Sequence, residues 1–207
     1  MSYAIAVLPG DGIGPEVTAE AAKVMEAVGR RFGHSFQVSS GPIGGNAIDE
    51  LGTPLPEETL ALCEGADAIL FGAVGGPRWD DPAAAVRPED GILAIRKGLG
   101  LFANLRPVKV YPALINSSPI RPEVLEGVDM MVVRELTGGL YFARPKRRWQ
   151  TSRGRRRGVD TLRYTEEEIE RIVRVGFELA RGRRGLLTSV DKANVLESSR
   201  LWREVAN

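Results

Sequence analysis

The sequence predicts an α/β fold, and three observations carry that prediction. Short apolar runs of strand length alternate with stretches whose apolar residues recur at helical spacing. A glycine-rich turn joins the first strand to the first helix. The chain's 207 residues, 43% of them hydrophobic, suffice to bury a core in one large or two small units. Residues 3–8 (YAIAVL) read as a buried strand. The turn Gly10-Asp11-Gly12-Ile13-Gly14 follows, and Pro15 opens a helix, its fixed φ and missing N–H suiting a first helical turn. Val17, Ala21, Val24, Met25, Val28 and Phe32 form the expected apolar stripe of that helix, which Gly33 stops. Residues 36–40 read as a second strand, Pro56 introduces a short helix through 60–63, and 68–71 read as a buried strand closed by Gly72.

Between 73 and 90 the composition turns to Gly, Pro, Asp and Ala. Strong elements flank this stretch, so it reads as a functional loop rather than a linker. A short helix is expected over 92–97 and a strand over 105–110, where a second unit begins. Residues 128–134, 140–143 and 159–164 read as strands, with the segment between the last two an exposed excursion or arm. Thr165 and Glu168 have the spacing of a capping box, opening a helix whose Ile169, Ile172, Val173, Gly176, Phe177 and Ala180 make one face. Gly182 and Gly185 bracket its end, 186–190 read as another strand, and Asp191 to Asn194 start a last amphipathic segment. That segment reaches Asn207 without a glycine cap, the pattern expected of a chain that continues, and there is no internal repeat.

Charge and cysteine usage narrow the function classes. With 28 Lys and Arg against 27 Asp and Glu, the net charge of +1 argues against a general nucleic-acid or membrane-surface protein. The balance is uneven, because Arg144, Lys146, Arg147, Arg148, Arg153, Arg155, Arg156 and Arg157 fall in one stretch without an acid. One cysteine, Cys63, and one histidine, His34, exclude an internal disulfide framework and a Cys/His zinc site, so a metal would need oxygen ligands. No basic leader and no run of membrane-spanning length is present, and a reducing cytoplasm is the expected compartment.

Arg96, Arg106, Arg134 and Tyr141 abut predicted strand or helix ends, in IRKGLGLFANLRP and VRELTGGLYF. A guanidinium fork grips a carboxylate bidentately, which points to a pocket for a small polycarboxylate. The Gly10–Pro15 run lacks the G-x-G-x-x-G spacing of a dinucleotide fingerprint and reads better as a tight turn on a pocket rim, its glycines letting backbone N–H groups approach a ligand. Gly75-Gly76-Pro77-Arg78-Trp79-Asp80 could cradle a nucleotide or be a mobile turn. Lys192, after the predicted 186–190 strand, could be a proton carrier whose pKa falls near other cations, or a solvated lysine paired with Asp191. The basic run with Trp149 could meet nucleic-acid phosphates, although such a run is more often a solvated loop.

Together, LPGDGIGPEV, GAVGGPRWD, RPEDGILAIRKGLGLFANLRP, VRELTGGLYF, DTLRYTEEEIERI and SVDKANVLE closely resemble, in order, the metal-dependent β-decarboxylating dehydrogenases of the isocitrate/isopropylmalate dehydrogenase family, essentially from Ala4 to Glu204. The resemblance implies a two-domain α/β homodimer that is not a Rossmann fold and is incomplete here at the C-terminus. The first domain would span 1–103, and a second, truncated domain would span 104–207 with a dimerisation arm near 138–160. Arg96, Arg106 and Arg134 would bind the malate carboxylates. Tyr141 and Lys192 would be the acid–base pair, Lys192 reaching into the partner's site. Glu89, Ile92, Leu93 and Val195 would recognise the isopropyl group, Glu89 also meeting the nicotinamide ribose. Gly76, Pro77, Arg78, Trp79 and Asp80, with Ile13 and Asn194, would complete the NAD side.

The implied chemistry is oxidative decarboxylation of 3-isopropylmalate to 2-oxoisocaproate in leucine biosynthesis, with NAD and Mg2+ or Mn2+. The family's metal-binding aspartates and its adenosine loop would lie downstream of this chain, so no metal ligand is expected within it and activity of these residues alone is not expected. Ala143 stands where the family has glycine, and the 144–157 stretch is more basic than the usual arm. Two alternatives remain open: a sister dehydrogenase for isocitrate, homoisocitrate or tartrate, which the apolar Ile92-Leu93 rim opposes, and a non-catalytic module that dimerises or binds nucleic acid.

Overall fold

The computed structural model describes residues 1–207, which divide into two compact units, Met1–Gly100 and Leu101–Asn207. In the first unit, β1 (Ser2–Gly10) is the central strand of a three-stranded parallel sheet, between β2 (Ser35–Ser40) and β3 (Ala68–Ala73). A strand in that position is covered on both faces, which is why Ile5, Ala6, Val7 and Leu8 are all buried rather than alternating. Residues 68–71 were expected to be buried, but β3 lies at the sheet edge and is only half-buried.

Helix α1 (Gly14–Phe32) carries Pro15 in its first turn and ends at Gly33, whose φ of 71° lets its N–H turn back to the Gly29 carbonyl. The expected stripe does not face the core. Its buried face is Gly14, Thr18 and Gly29, while Val24 and Phe32 are 64% and 66% exposed and Val17 and Val28 also meet solvent. Close approach decides the orientation: a Cβ on Gly14 would lie 2.1 Å from the Pro9 carbonyl oxygen, and one on Gly29 would lie 2.9 Å from that of His34. The small residues therefore set which side lies down, and the larger apolar side is left outward.

Helix α2 (Gly45–Leu51), which the sequence pattern does not announce, follows a loop whose Ile43 is buried. Helices α3 (Glu57–Glu64) and α4 (Pro88–Gly98) complete the unit. The latter is longer than the expected 92–97 because the Asp90 carboxylate accepts the Arg87 N–H at 2.9 Å and secures the first turn. Ala6, Leu8, Ile43, Cys63 and Ile95 form the core, joined by Leu55, Leu60, Phe71 and Val74.

The second unit is built on an antiparallel pair, β4 (Ala103–Lys109) and β5 (Asp129–Glu135), with the short α5 (Pro122–Leu125) in the connection. The basic excursion is an exposed hairpin of β6 (Arg147–Gln150) and β7 (Arg156–Val159). Helix α6 (Glu166–Arg181) packs on β5 and α7 (Glu197–Ala206) packs on α6. The Thr165 capping box is formed, and Ile169, Ile172, Gly176 and Ala180 are buried, but Phe177 is 51% exposed.

Three predicted strands are not strands. Residues 140–143 lie in turns, because backbone N–H groups just before them are drawn onto the Glu135 carboxylate rather than into a ladder. Of 159–164 only Val159 is in a strand, its partner strand ending at Arg147. Residues 186–190 line, with 129–133, a cavity of about 620 Å³, and no ladder joins the two segments. Strand pairing requires a spacing of about 4.8 Å. No helix is long and apolar enough to cross a membrane.

Candidate active site

The open face of the β4–β5 ribbon gathers three of the expected site residues. Alternation along β5 turns Glu135 toward α6 and Arg134 to the opposite face. Arg134 pairs with Asn104 and Arg106 with Val132, so the two arginines are diagonal neighbours on one face. The Nε of Arg106 donates to Asn104 Oδ1 at 2.6 Å, which orients the fork and leaves the exposed guanidinium tip outward. Arg134 Nη2 donates to the Tyr141 hydroxyl at 3.0 Å, and its guanidinium carbon lies 5.4 Å from the centre of the Tyr141 ring. Two cations and a phenol with its hydroxyl held by one of them are groups that can pair with a small anion and exchange a proton.

Below that face, the turn leading from β5 to Tyr141 is held by a buried carboxylate. Glu135, its side chain 1% exposed, accepts hydrogen bonds from the N–H groups of Thr137 and Gly138 at 2.9 and 2.7 Å, the Thr137 hydroxyl at 2.6 Å and Arg171 Nη2 at 3.0 Å. Tyr164 closes over the glycines of the same turn. Burial pushes the Tyr164 phenol above its ordinary pKa, and the negative Glu135 adds to that.

In the first unit a second carboxylate plays the same part for the glycine loops. Asp11 is 1% exposed and accepts from the N–H groups of Gly45, Asn46 and Gly75 at 2.6, 2.8 and 2.8 Å. It ties the turn after β1 to the start of α2 and to the Gly75-Gly76 loop. Gly44, at φ 89°, must be glycine there, since a Cβ would lie 2.4 Å from Asp11 Oδ2. The Trp79 ring lies against Gly45, and Arg78 pairs with Asp49 at 3.1 Å. A Cβ on Gly75 would be 3.5 Å from Glu89 Oε1, so the Glu89 carboxylate stands beside the loop. Asp80 and Ile13 are exposed, and Gly76 and Pro77 continue the loop into its 3-10 turn. Glu89, Ile92, Leu93 and Arg96 stand at i, i+3, i+4 and i+7 of α4 and so share one face, on which Ile92, Leu93 and Arg96 are half-buried.

Lys192, Asn194 and Val195 lie exposed in the turn before α7. Two expectations for Lys192 are corrected. It follows an exposed segment rather than a buried strand, and Asp191 is not its partner. The Asp191 carboxylate is taken bidentately by Arg203, at 2.9 and 2.8 Å, and by the Ala193 N–H at 2.9 Å. The Arg203 guanidinium and then the Ala193 N–H hold Asp191 below the ordinary carboxylate range, and Arg203 is raised in turn. No three His, Cys, Asp or Glu side chains are grouped so as to hold a metal ion.

The sequence profile of the isocitrate/isopropylmalate dehydrogenases matches residues 4–207. The chain belongs to the isocitrate/isopropylmalate dehydrogenase family. It is 60% identical over 205 residues to a 3-isopropylmalate dehydrogenase of Dehalococcoides mccartyi, covering 99% of this chain and 56% of that protein. It is 59% identical to that of Bacillus subtilis, over 100% of this chain and 56% of the relative. Among solved structures, an isocitrate dehydrogenase from Methylococcus capsulatus superposes with a TM-score of 0.77 at 28% identity, covering 99% of this chain and 56% of that one. A β-decarboxylating dehydrogenase from Thermococcus kodakarensis gives 0.67 at 35% identity, with 99% and 53% coverage. The chain thus spans about half the length of the relatives it matches.

The poor dinucleotide fingerprint at Gly10 has a structural counterpart: Asp11 takes the Gly45, Asn46 and Gly75 N–H groups that converge on that turn. The sequence reading missed both carboxylate hubs. Asp11 carries a signal in retrospect, an acid between two glycines at positive φ. Glu135 carries only its adjacency to Arg134 on a strand, where alternation must bury one of the two.

Proposed function

We propose that this chain supplies the substrate-arginine portion of an enzyme that oxidises and decarboxylates 3-isopropylmalate with NAD in leucine biosynthesis, in the cytoplasm and as a homodimer whose arm is the 138–160 region. The observation carrying this reading is the convergence of Arg106, Arg134 and Tyr141 on one open sheet face. In it, Arg106 and Arg134 hold a carboxylate of the hydroxyacid, and Arg96 of α4 is the carboxylate-binding arginine of the first unit. The apolar Ile92 and Leu93 on the Arg96 face meet the isopropyl group, which favours this substrate over isocitrate, homoisocitrate or tartrate.

Lys192, acting in the partner's site, assists removal of the 2-hydroxyl proton. Once the 2-hydroxyl carbon is oxidised to the ketone, loss of the 3-carboxylate as carbon dioxide leaves an enolate, to whose carbon Tyr141 delivers the proton of its hydroxyl. NAD, when bound, accepts the hydride. The residues present suit its ribose side, since the Glu89 carboxylate stands beside the Gly75-Gly76 loop with Pro77, Arg78, Trp79 and Asp80 following, and Ile13 and Asn194 are exposed. They do not suit Mg2+ or Mn2+ by themselves, having no cluster of carboxylates.

Isothermal titration of the chain with 3-isopropylmalate tests the anion seat. Arg134→Lys, which keeps charge but loses the fork, is expected to weaken binding at least about tenfold, the range of a lost charged hydrogen bond. Equal affinity in the variant refutes the seat. Turnover of isopropylmalate by these residues alone, with NAD and magnesium, refutes the dependence on further chain.

A further inference from the structure

Arg134 and Tyr141 are seven residues apart, yet the hydroxyl of one rests on the guanidinium of the other. An extended chain of that length would carry Tyr141 about 23 Å away. The polypeptide must therefore reverse within residues 136–140 and return over the strand it has just left. We propose that Glu135 is the positioning residue that enforces this reversal, setting the Tyr141 hydroxyl against Arg134; the inference rests on the reading of Tyr141 as proton donor.

The geometry carries the inference in three steps. Glu135 points away from Arg134, through the ribbon toward α6, so its carboxylate lies behind the strand end. From there Oε2 collects the N–H groups of Thr137 and Gly138, which curls the backbone back instead of letting it extend. Oε1 takes the Thr137 hydroxyl and Arg171 Nη2. Arg171 also contacts the Thr137 hydroxyl and lies over the Phe102 ring, 4.7 Å from its centre, which fixes the anchor to helix and sheet together.

The far side of the turn is equally defined. The Gly139 N–H donates to the Arg163 carbonyl at 2.8 Å. A Cβ on Gly138 would lie 2.7 Å from Tyr164 Cδ1, and one on Gly139 would lie 2.5 Å from the Tyr164 hydroxyl. The turn is thus gripped between a carboxylate on one side and a phenol ring on the other, and Tyr141 emerges where the two leave it.

The test is NMR on the labelled chain, reading the Tyr141–Arg134 side-chain cross-peaks, hydrogen exchange at Gly138, and the β4–β5 ladder cross-peaks as an internal control. Glu135→Ala is expected to abolish the Tyr141–Arg134 cross-peaks and speed Gly138 exchange at least about tenfold while the ladder persists. Glu135→Gln is expected to rescue the contact, since its oxygen still accepts the two N–H groups. Should the alanine variant not fold, E135L/R171M removes the charged pair together, a change that buried pairs often tolerate, and is expected to lose the contact likewise. Survival of the contact in the alanine or double variant overturns the proposal, as does its absence in the unaltered chain or its loss only together with the ladder. Addition of 3-isopropylmalate separates this from the functional reading: unmoved Arg106, Arg134 and Tyr141 signals count against the anion seat, while the effect of Glu135 on the contact is read without ligand.

Discussion

Replacing Asp11 gives the sharpest energetic test of how the first unit is held together. The carboxylate is buried and receives three backbone N–H groups from two loops, two of them on Oδ2 and one on Oδ1. In Asp11→Ala all three lose their acceptor. An orphaned buried donor costs about 1–3 kcal/mol. Only the Gly45 N–H bond is fully buried, however, and the other two donors can reach water. A loss of about 3–5 kcal/mol follows, a large part of the order of 5–15 kcal/mol that holds a whole domain. Asp11→Asn can place its oxygen on the Gly45 and Gly75 donors and forfeits only the Asn46 bond, so about 1–2 kcal/mol is expected. Urea unfolding followed by circular dichroism measures both. The reasoning fails if the two variants are equally harmful, or if each lies within about 0.5 kcal/mol of the unaltered chain.

Three further outcomes are expected. Thr165→Ala removes the hydroxyl that accepts the Glu168 N–H at the start of α6 and is expected to lower stability by about 1 kcal/mol in the same unfolding assay, with Thr165→Ser nearly neutral; equal losses would contradict the cap. Burial pushes the Cys63 thiol above its ordinary pKa, so alkylation by iodoacetamide near neutral pH should be slow in the folded chain and rapid in urea, and equal rates would show the site to be open. Asp191 is depressed by Arg203, so its contribution to stability is present above the unfolded value of about 3.9 and is lost as pH falls through the lower folded value. Carboxyl-carbon NMR should show its midpoint rise in Arg203→Met, and an unmoved midpoint would deny the pairing.

The elements that could be read in advance are those whose signal is local. Pro15 and Gly33 bound α1, and Thr165 and Glu168 open α6, because the groups that start or stop these helices lie beside them in the chain. What could not be read depends on partners distant in sequence. Residues 186–190 have the composition of a strand, but a strand exists only where another lies alongside. The valines of α1 have helical period, but periodicity marks a face without saying whether a neighbour covers it. In the candidate site, Arg106, Arg134 and Tyr141 stand out in the sequence because guanidiniums beside apolar runs are conspicuous. Asp11 and Glu135 were not, because their work is to receive backbone N–H groups, and any acid can do that once the fold has brought the donors.

The exposed β6–β7 hairpin has a consequence for how the molecule behaves in bulk. Its stretch from Arg144 to Arg157 holds eight of the 28 cations, so the other 20 face 27 acids and the remainder of the chain is seven charges negative behind a net of +1. Such a molecule is strongly polarised although nearly neutral. It should bind a cation-exchange resin at a pH where its net charge predicts little retention, and it should release when added salt shortens the Debye length to a few ångströms.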